Sequence, residues 1–287
     1  MGCSECAVSK VGRFWVYRSL NLYACSLFTA LPLCQGLWKL NANLNGVPDT
    51  RFYMTQAAPQ NATVVAKFGG TSVADFEAMN RSADVVLSNP DVRLVVLSAS
   101  AGITNLLVAL AEGCDADKRN EQLAEIRRIQ YAILDRLENP MVIREEIDRM
   151  LENITTLSEA AALATSAALT DELVSHGELM STMLFVEFLR DRKVQAEWFD
   201  VRIVMRTDDH FGRAVPDSAA LTELAQTLLK PRLQQALVIT QGFIGCEPKG
   251  RTTTLGRGGS DFTAALLGEA LNVSRVDIWT DVPGIYT

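Results

Sequence analysis

Lys67 closes a short apolar, β-branched run, and Gly69-Gly70-Thr71-Ser72 follow before a helical pattern opens near Asp75. That order of strand, bare-backbone turn and helix start suits an anion. Glycines let backbone N–H groups approach it, the helix N-terminus adds partial positive charge, and the lysine supplies a full one. Taken alone, the same residues also describe a turn that needs only tight packing. A second loop, Gly256-Arg257-Gly258-Gly259-Ser260-Asp261, precedes another helical run. Its cation is a guanidinium, which grips a carboxylate or phosphate through two parallel hydrogen bonds. Ser260 and Asp261 are equally explained as helix-capping and first-turn residues, but capping does not account for Arg257 among three glycines. Between the loops, Glu178 lies beside Gly177 in a helical pattern, where it can hold an amino group or simply face solvent. The polar turn carrying Thr280, Asp281 and Tyr286 can bind a base and ribose, and in isolation it is also a good surface turn.

Several familiar chemistries do not fit. Gly250 and Gly256 are one residue too far apart for a P-loop, and Arg257 stands where lysine is needed. Gly256-x-Gly258 lacks the third glycine of a dinucleotide fingerprint, because Asp261 occupies that place. His176 and His210 are the only histidines and have no metal-ligand spacing, so both read as structural or surface residues. The net charge of −7 argues against a nucleic-acid binder. Cys114 and Cys246 stand alone in the main body, which points to a reducing compartment.

The elements that must position these residues alternate. A strand is expected over 63–68, a helix over 75–89, and a doubly buried strand over 92–98. The small-residue loop that follows leads to Thr104, which is expected to cap a helix over 105–112. Residues 118–167 read as two helices broken at Pro140, and a further helix spans 170–192. Gly177 inside that helix costs about 1 kcal/mol relative to alanine, so another element is expected to pass close to its backbone. Strands over 194–201, 237–245 and 276–280 and helices over 217–229 and 262–271 complete the pattern. In an α/β sheet of this kind, ligands sit where strand ends meet helix starts.

Residues 1–62 look foreign to this body. Lys10, Arg13 and Arg18 precede an apolar run over 20–34 that superficially resembles a leader, but Pro32 interrupts it and no small-x-small cleavage site follows. The run is also too short to span a bilayer. Residues 1–62 are therefore expected to be a poorly packed extension, with a native start near Met54 and the catalytic unit over 63–287.

Five stretches, KFGGTS at 67–72, SASAGITN at 98–105, LVSHGE at 173–178, GRGGSD at 256–261 and WTDVPGIYT at 279–287, together resemble the aspartate kinases of the amino-acid kinase family, closest to the lysine-sensitive bacterial type. The resemblance implies a three-layer α/β/α sandwich with a mainly parallel sheet, binding L-aspartate and ATP, with Mg²⁺ held mainly through the nucleotide phosphates rather than by metal-ligating residues. By motif, Lys67 would stand between substrate and γ-phosphate and Asp261 would orient it. Thr104, Glu178, Arg257, Gly258, Gly259 and Ser260 would hold aspartate, with Glu178 on the α-amino group and Arg257 on the α-carboxylate. Lys67, Phe68, Gly69, Gly70, Thr280, Asp281 and Tyr286 would contact the nucleotide. The implied protein is cytoplasmic, makes 4-phospho-L-aspartate for lysine, threonine and methionine synthesis, and is a homo-oligomer when full length. Neither nucleic acid nor membrane is an expected partner.

Family members continue beyond the point matching Thr287 and then add paired ACT regulatory domains. This chain is accordingly expected to carry the aspartate site with an incomplete ATP site, little kinase activity and no feedback inhibition. The rival expectation is an inactive kinase fragment that binds aspartate or pairs with an intact subunit.

Overall fold

The structure, a computed structural model, describes residues 6–11, 14–20 and 63–280. Strands Cys6–Val11 (β1) and Phe14–Leu20 (β2) come first. Val64–Phe68 (β3) is buried along its whole length, as expected of a strand covered on both faces. It is followed by Phe76–Leu87 (α1), Val92–Leu97 (β4) and Ile103–Ala111 (α2). Two long helices, Ala116–Leu134 (α3) and Met141–Leu163 (α4), fall on either side of Pro140. Ala167–Asp191 (α5) leads to Ala196–Phe199 (β5), Ser218–Leu224 (α6) and Lys230–Leu233 (α7). Leu237–Gln241 (β6), Ile244–Cys246 (β7), Thr252–Thr254 (β8), Gly259–Leu271 (α8) and Arg275–Thr280 (β9) complete the order.

Strand order in the main sheet is β1-β2-β9-β3-β4-β6-β5, and the run from β9 to β5 is parallel throughout. Helices α1 and α5 pack on β4, β5 and β6, with α2 and α4 packed against α5 in turn. Helix α8, backed by α6, packs on β3, β4 and β9. Helices thus cover both faces of the sheet, giving the three-layer α/β sandwich that the resemblance implies. β7 and β8 form a separate antiparallel hairpin.

Several details depart from expectation. β1 pairs antiparallel with β2, and β2 pairs antiparallel with β9, where an unpacked extension is expected. Aromatic and β-branched residues at 14–17 favour a strand, and β9 offers that strand an edge to pair with. Residues 21–62, including Met54, lie outside the described residues. Thr104 does not cap α2: the helix opens two residues earlier than expected, at Ile103, from Gly102 at φ 86°, which makes no side-chain cap. Helix α5 begins at Ala167, where Ser166 caps it by accepting from Leu169 N. The single helix expected over 217–229 is instead α6 followed by a π-helical stretch, Ala225–Leu229.

Gly177 sits where α5 crosses α2. A Cβ there would lie 2.8 Å from Ala99 Cβ and 3.3 Å from both Ile103 Cγ2 and Leu107 Cδ1. Gly177→Ala is therefore expected to lower the thermal midpoint, because overpacking by about 1–3 kcal/mol outweighs the roughly 1 kcal/mol gain in helix propensity. A raised midpoint in thermal denaturation would show that α2 moves aside freely.

Candidate active site

Because β3, β4, β6 and β9 are parallel, their carboxyl ends share one edge of the sheet. The chain leaves β3 towards β4 on one side and returns as β9 on the other, so the strand order reverses at β3. That switch point is where an open α/β sheet leaves a crevice. Three loops meet there and are tied together. Ala101 N donates to Gly70 O (3.1 Å), Gly242 N to Leu97 O (2.8 Å), and Ser98 Oγ to Ser260 Oγ (3.0 Å).

A cavity of about 450 Å³ opens at this crevice, within the usual size for a small-molecule site. Lys67 and Arg257 both line it. The Lys67 side chain is largely buried, and its Nζ lies 2.6 Å from Asp261 Oδ1 on the first turn of α8. Helix α8 starts at Gly259, from Gly258 at φ 75° with no side-chain cap. Ser260 and Asp261 thus lie inside the helix, and their side chains point to Ser98 and Lys67 instead of capping it. Arg257 is exposed and has no ion-pair partner among the described residues.

Glu178 is the opposite case. It is 3% exposed, its Oε1 accepts from Ala99 N at 3.2 Å, and its Oε2 has no partner among the described residues. Burial pushes its carboxyl up to about 8, opposed only in part by the Ala99 N–H. A buried, half-satisfied carboxyl on a cavity wall, facing a site with an unpaired guanidinium, suits a ligand that carries both an ammonium and a carboxylate.

The cavity brings together Lys67, Thr104, Glu178, Arg257, Gly258, Gly259, Ser260 and Asp261 from the predicted set. Gly69 lies beside Lys67, since a Cβ built on it would be 3.9 Å from Nζ. Gly70 follows within the same turn, under Ala99 O. Phe68 is fully buried with its ring stacked on Trp279, so that ring does not reach the cavity. Register places Thr280 one residue beyond the Phe68–Trp279 pair, level with Gly69. Asp281 and Tyr286 lie outside the described residues. His176 is buried with Nδ1 on Glu172 O, and His210 is exposed against Asp208; neither lines the cavity. Ser98, Phe243 and Gly256 also line it and carried no assigned role. Ser98 was legible only as part of a small-residue loop, and Phe243 owes its place to a left-handed backbone (φ 72°) that its residue type does not announce.

A family model described as the amino acid kinase family matches residues 62–287. Lysine-sensitive aspartokinase 3 of Escherichia coli K12 is 78% identical over 224 residues, covering 78% of this chain and 50% of that protein. Aspartokinase 1, chloroplastic, of Arabidopsis thaliana is 34% identical over 247 residues, covering 82% of this chain and 42% of that protein. The crystal structure of E. coli aspartokinase III in complex with aspartate and ADP (R-state) matches with a TM-score of 0.77 and 77% identity, over 78% of this chain and 50% of that one. Clostridium acetobutylicum aspartate kinase, at 21% identity and a TM-score of 0.58 over 73% of this chain and 46% of that one, shares the fold. The chain spans about half the length of the curated relatives it matches. The family match runs through all five parallel strands, both glycine loops and the cavity between them, and the chain therefore belongs to the amino acid kinase family.

Proposed function

We propose that this site binds L-aspartate and transfers the γ-phosphoryl group of ATP to its side-chain carboxylate, giving 4-phospho-L-aspartate and ADP. The observation that carries the reading is the pairing, in one cavity, of an arginine and a buried carboxyl oxygen that both lack a partner among the described residues, beside a lysine at a glycine turn. The likeness to an aspartokinase crystallised with aspartate and ADP supports the same substrates.

Roles follow from charge and reach. Arg257 takes the α-carboxylate, Glu178 the α-amino group, and Thr104 and Ser260 supply hydroxyls beside the Gly258 and Gly259 backbone at the start of α8. A carboxylate is already ionised at neutral pH, so its attack on phosphorus needs no general base. One carboxylate oxygen forms a bond to the γ-phosphorus while the bond to the β–γ bridging oxygen breaks, and ADP carries away that electron pair. The obstacle is bringing two anions together. Lys67, oriented by Asp261, offsets that repulsion with the N–H groups of Gly69 and Gly70, while Phe68, Thr280, Asp281 and Tyr286 remain the proposed nucleotide side.

Among the described residues the lining carboxylates are Glu178 beside Ala99 and Asp261 on Lys67. An ion arriving with ATP would be held by the phosphates, which it would help neutralise. Among the described residues no helix is long and apolar enough to cross a membrane. A cytoplasmic setting and a homo-oligomeric full-length protein accompany this proposal, and the free thiols of Cys114 and Cys246 support a reducing compartment.

Arg257→Ala should weaken L-aspartate binding by about 10–100-fold, the worth of a charge-assisted carboxylate contact. Isothermal titration of L-aspartate into both chains reads this directly. Equal affinities, or no measurable binding to the parent chain, would sink the reading.

A further inference from the structure

Asp171 is 2% exposed and does no capping, since Ser166 caps α5. All of its side-chain hydrogen bonds leave its own helix. Oδ2 accepts from Gly212 N and from Thr254 N, each at 2.8 Å, and Oδ1 accepts from Thr254 Oγ1 at 2.8 Å. No cation pairs with it among the described residues, so a buried charge is maintained by three donors from two separate segments. That arrangement is costly unless it secures something.

Those segments support the arginine loop. Thr254 ends β8, two residues before Gly256, and Ala214 N donates to Thr254 O at 2.9 Å. Gly212 O presses on Gly256: a Cβ there would meet it at 3.2 Å, and Gly256 turns through φ 79° to send Arg257 into the cavity. Gly256 O in turn accepts from Gly259 N at 3.0 Å at the start of α8. Seven residues along α5, two turns on, stands Glu178. One rigid helix therefore carries both the buried carboxyl of the site and the carboxylate that anchors the loop facing it.

We propose that Asp171 is a positioning residue, whose carboxylate pins the turn at Gly212 and the end of β8 at Thr254 to α5, so that the 255–258 loop holds Arg257 at a set span from Glu178. The span determines which amino acids are gripped at both ends at once. The inference rests on the aspartate-site reading, because it acts through Arg257.

L-Aspartate and ADP affinities, measured by titration calorimetry for Asp171→Ala and Asp171→Asn with and without Arg257→Ala, test it. Asp171→Ala should weaken L-aspartate binding by about tenfold in the parent chain and by less than about twofold when Arg257 is already alanine, with ADP affinity unchanged. Asp171→Asn should restore most of the affinity: its amide oxygen can accept both backbone N–H groups while its NH₂ donates to Thr254 Oγ1, whose hydroxyl rotates to suit. Should Asp171→Ala not fold, Thr254→Val removes one of the three contacts and should show a smaller loss with the same dependence on Arg257. An equal loss in both backgrounds, a parallel loss of ADP affinity, or an asparagine variant as weak as the alanine one would overturn the proposal. If Arg257→Ala alone changes nothing, the aspartate-site reading itself fails.

Discussion

Lys67→Ala is expected to lower phosphoryl transfer by about 10²–10³-fold, the usual cost of removing one preorganised charge donor at a transition state. Its aspartate affinity should change by less than about threefold, because the contact matters most as charge develops between the reacting groups. Lysine at the end of a strand is ordinarily solvated, but here the strand is the doubly covered centre of the sheet and the side chain is largely buried. Asp261 holds Nζ at 2.6 Å from the first turn of α8, so the ammonium is already placed when the triphosphate arrives. Single-turnover formation of the acyl phosphate, trapped with hydroxylamine, measures the step even where steady turnover is slow. A variant within tenfold of the parent rate would remove Lys67 from the chemistry.

Glu178 should make aspartate binding depend on pH and cost the empty chain stability. Burial holds its proton up to about pH 8, whereas an ammonium against the free Oε2 favours the ionised form. Binding at pH 7 must then expel a proton, so affinity should rise as pH rises towards 8, by close to tenfold per unit, and level off above. Calorimetry in buffers of different ionisation enthalpy should count about one proton released at pH 7 and about none above pH 9. Stability moves the other way. The folded-state value lies above the ordinary 4.5, so the proton favours the folded chain at low pH, and its contribution is lost as pH rises from there through about 8. Glu178→Gln cannot ionise. Its thermal midpoint should exceed the parent's by a margin that grows to several degrees near pH 8.5, while L-aspartate affinity falls at least about tenfold and loses its pH dependence. A parent affinity that is flat between pH 6 and 8 would contradict the assignment.

Both effects depend on residues whose types were legible but whose circumstances were not. Val64–Phe68 and Val92–Leu97 announce doubly buried parallel strands by their unbroken apolar runs, because such a sheet must be covered on both faces. Gly177 marked a close approach, since a helix tolerates glycine poorly without a packing reason, and Ala99 proved to be what approaches. The two glycine loops, with Lys67 and Arg257 in them, were visible from residue type and spacing as candidates for holding an anion.

Contacts between distant segments were decided only by folding. Helix α8 begins at Gly259, which leaves Ser260, the capping candidate, inside the helix with its Oγ accepting from Ser98 Oγ, and sequence reasoning places helix ends only to within a few residues. The edge of β9 recruits 14–20 as a strand because an open backbone ladder pairs with whatever β-prone segment reaches it. Asp171 falls at the start of the helix expected over 170–192, and only folding gave its carboxylate three donors from Gly212 and Thr254. The sequence by itself determined the alternation of strands and helices, the cations and the glycines, because periodicity and residue chemistry are local properties. The tertiary structure alone decided which carboxyl is buried, which guanidinium stays unpaired and what span separates them, because desolvation and long-range hydrogen bonding exist only once distant segments meet.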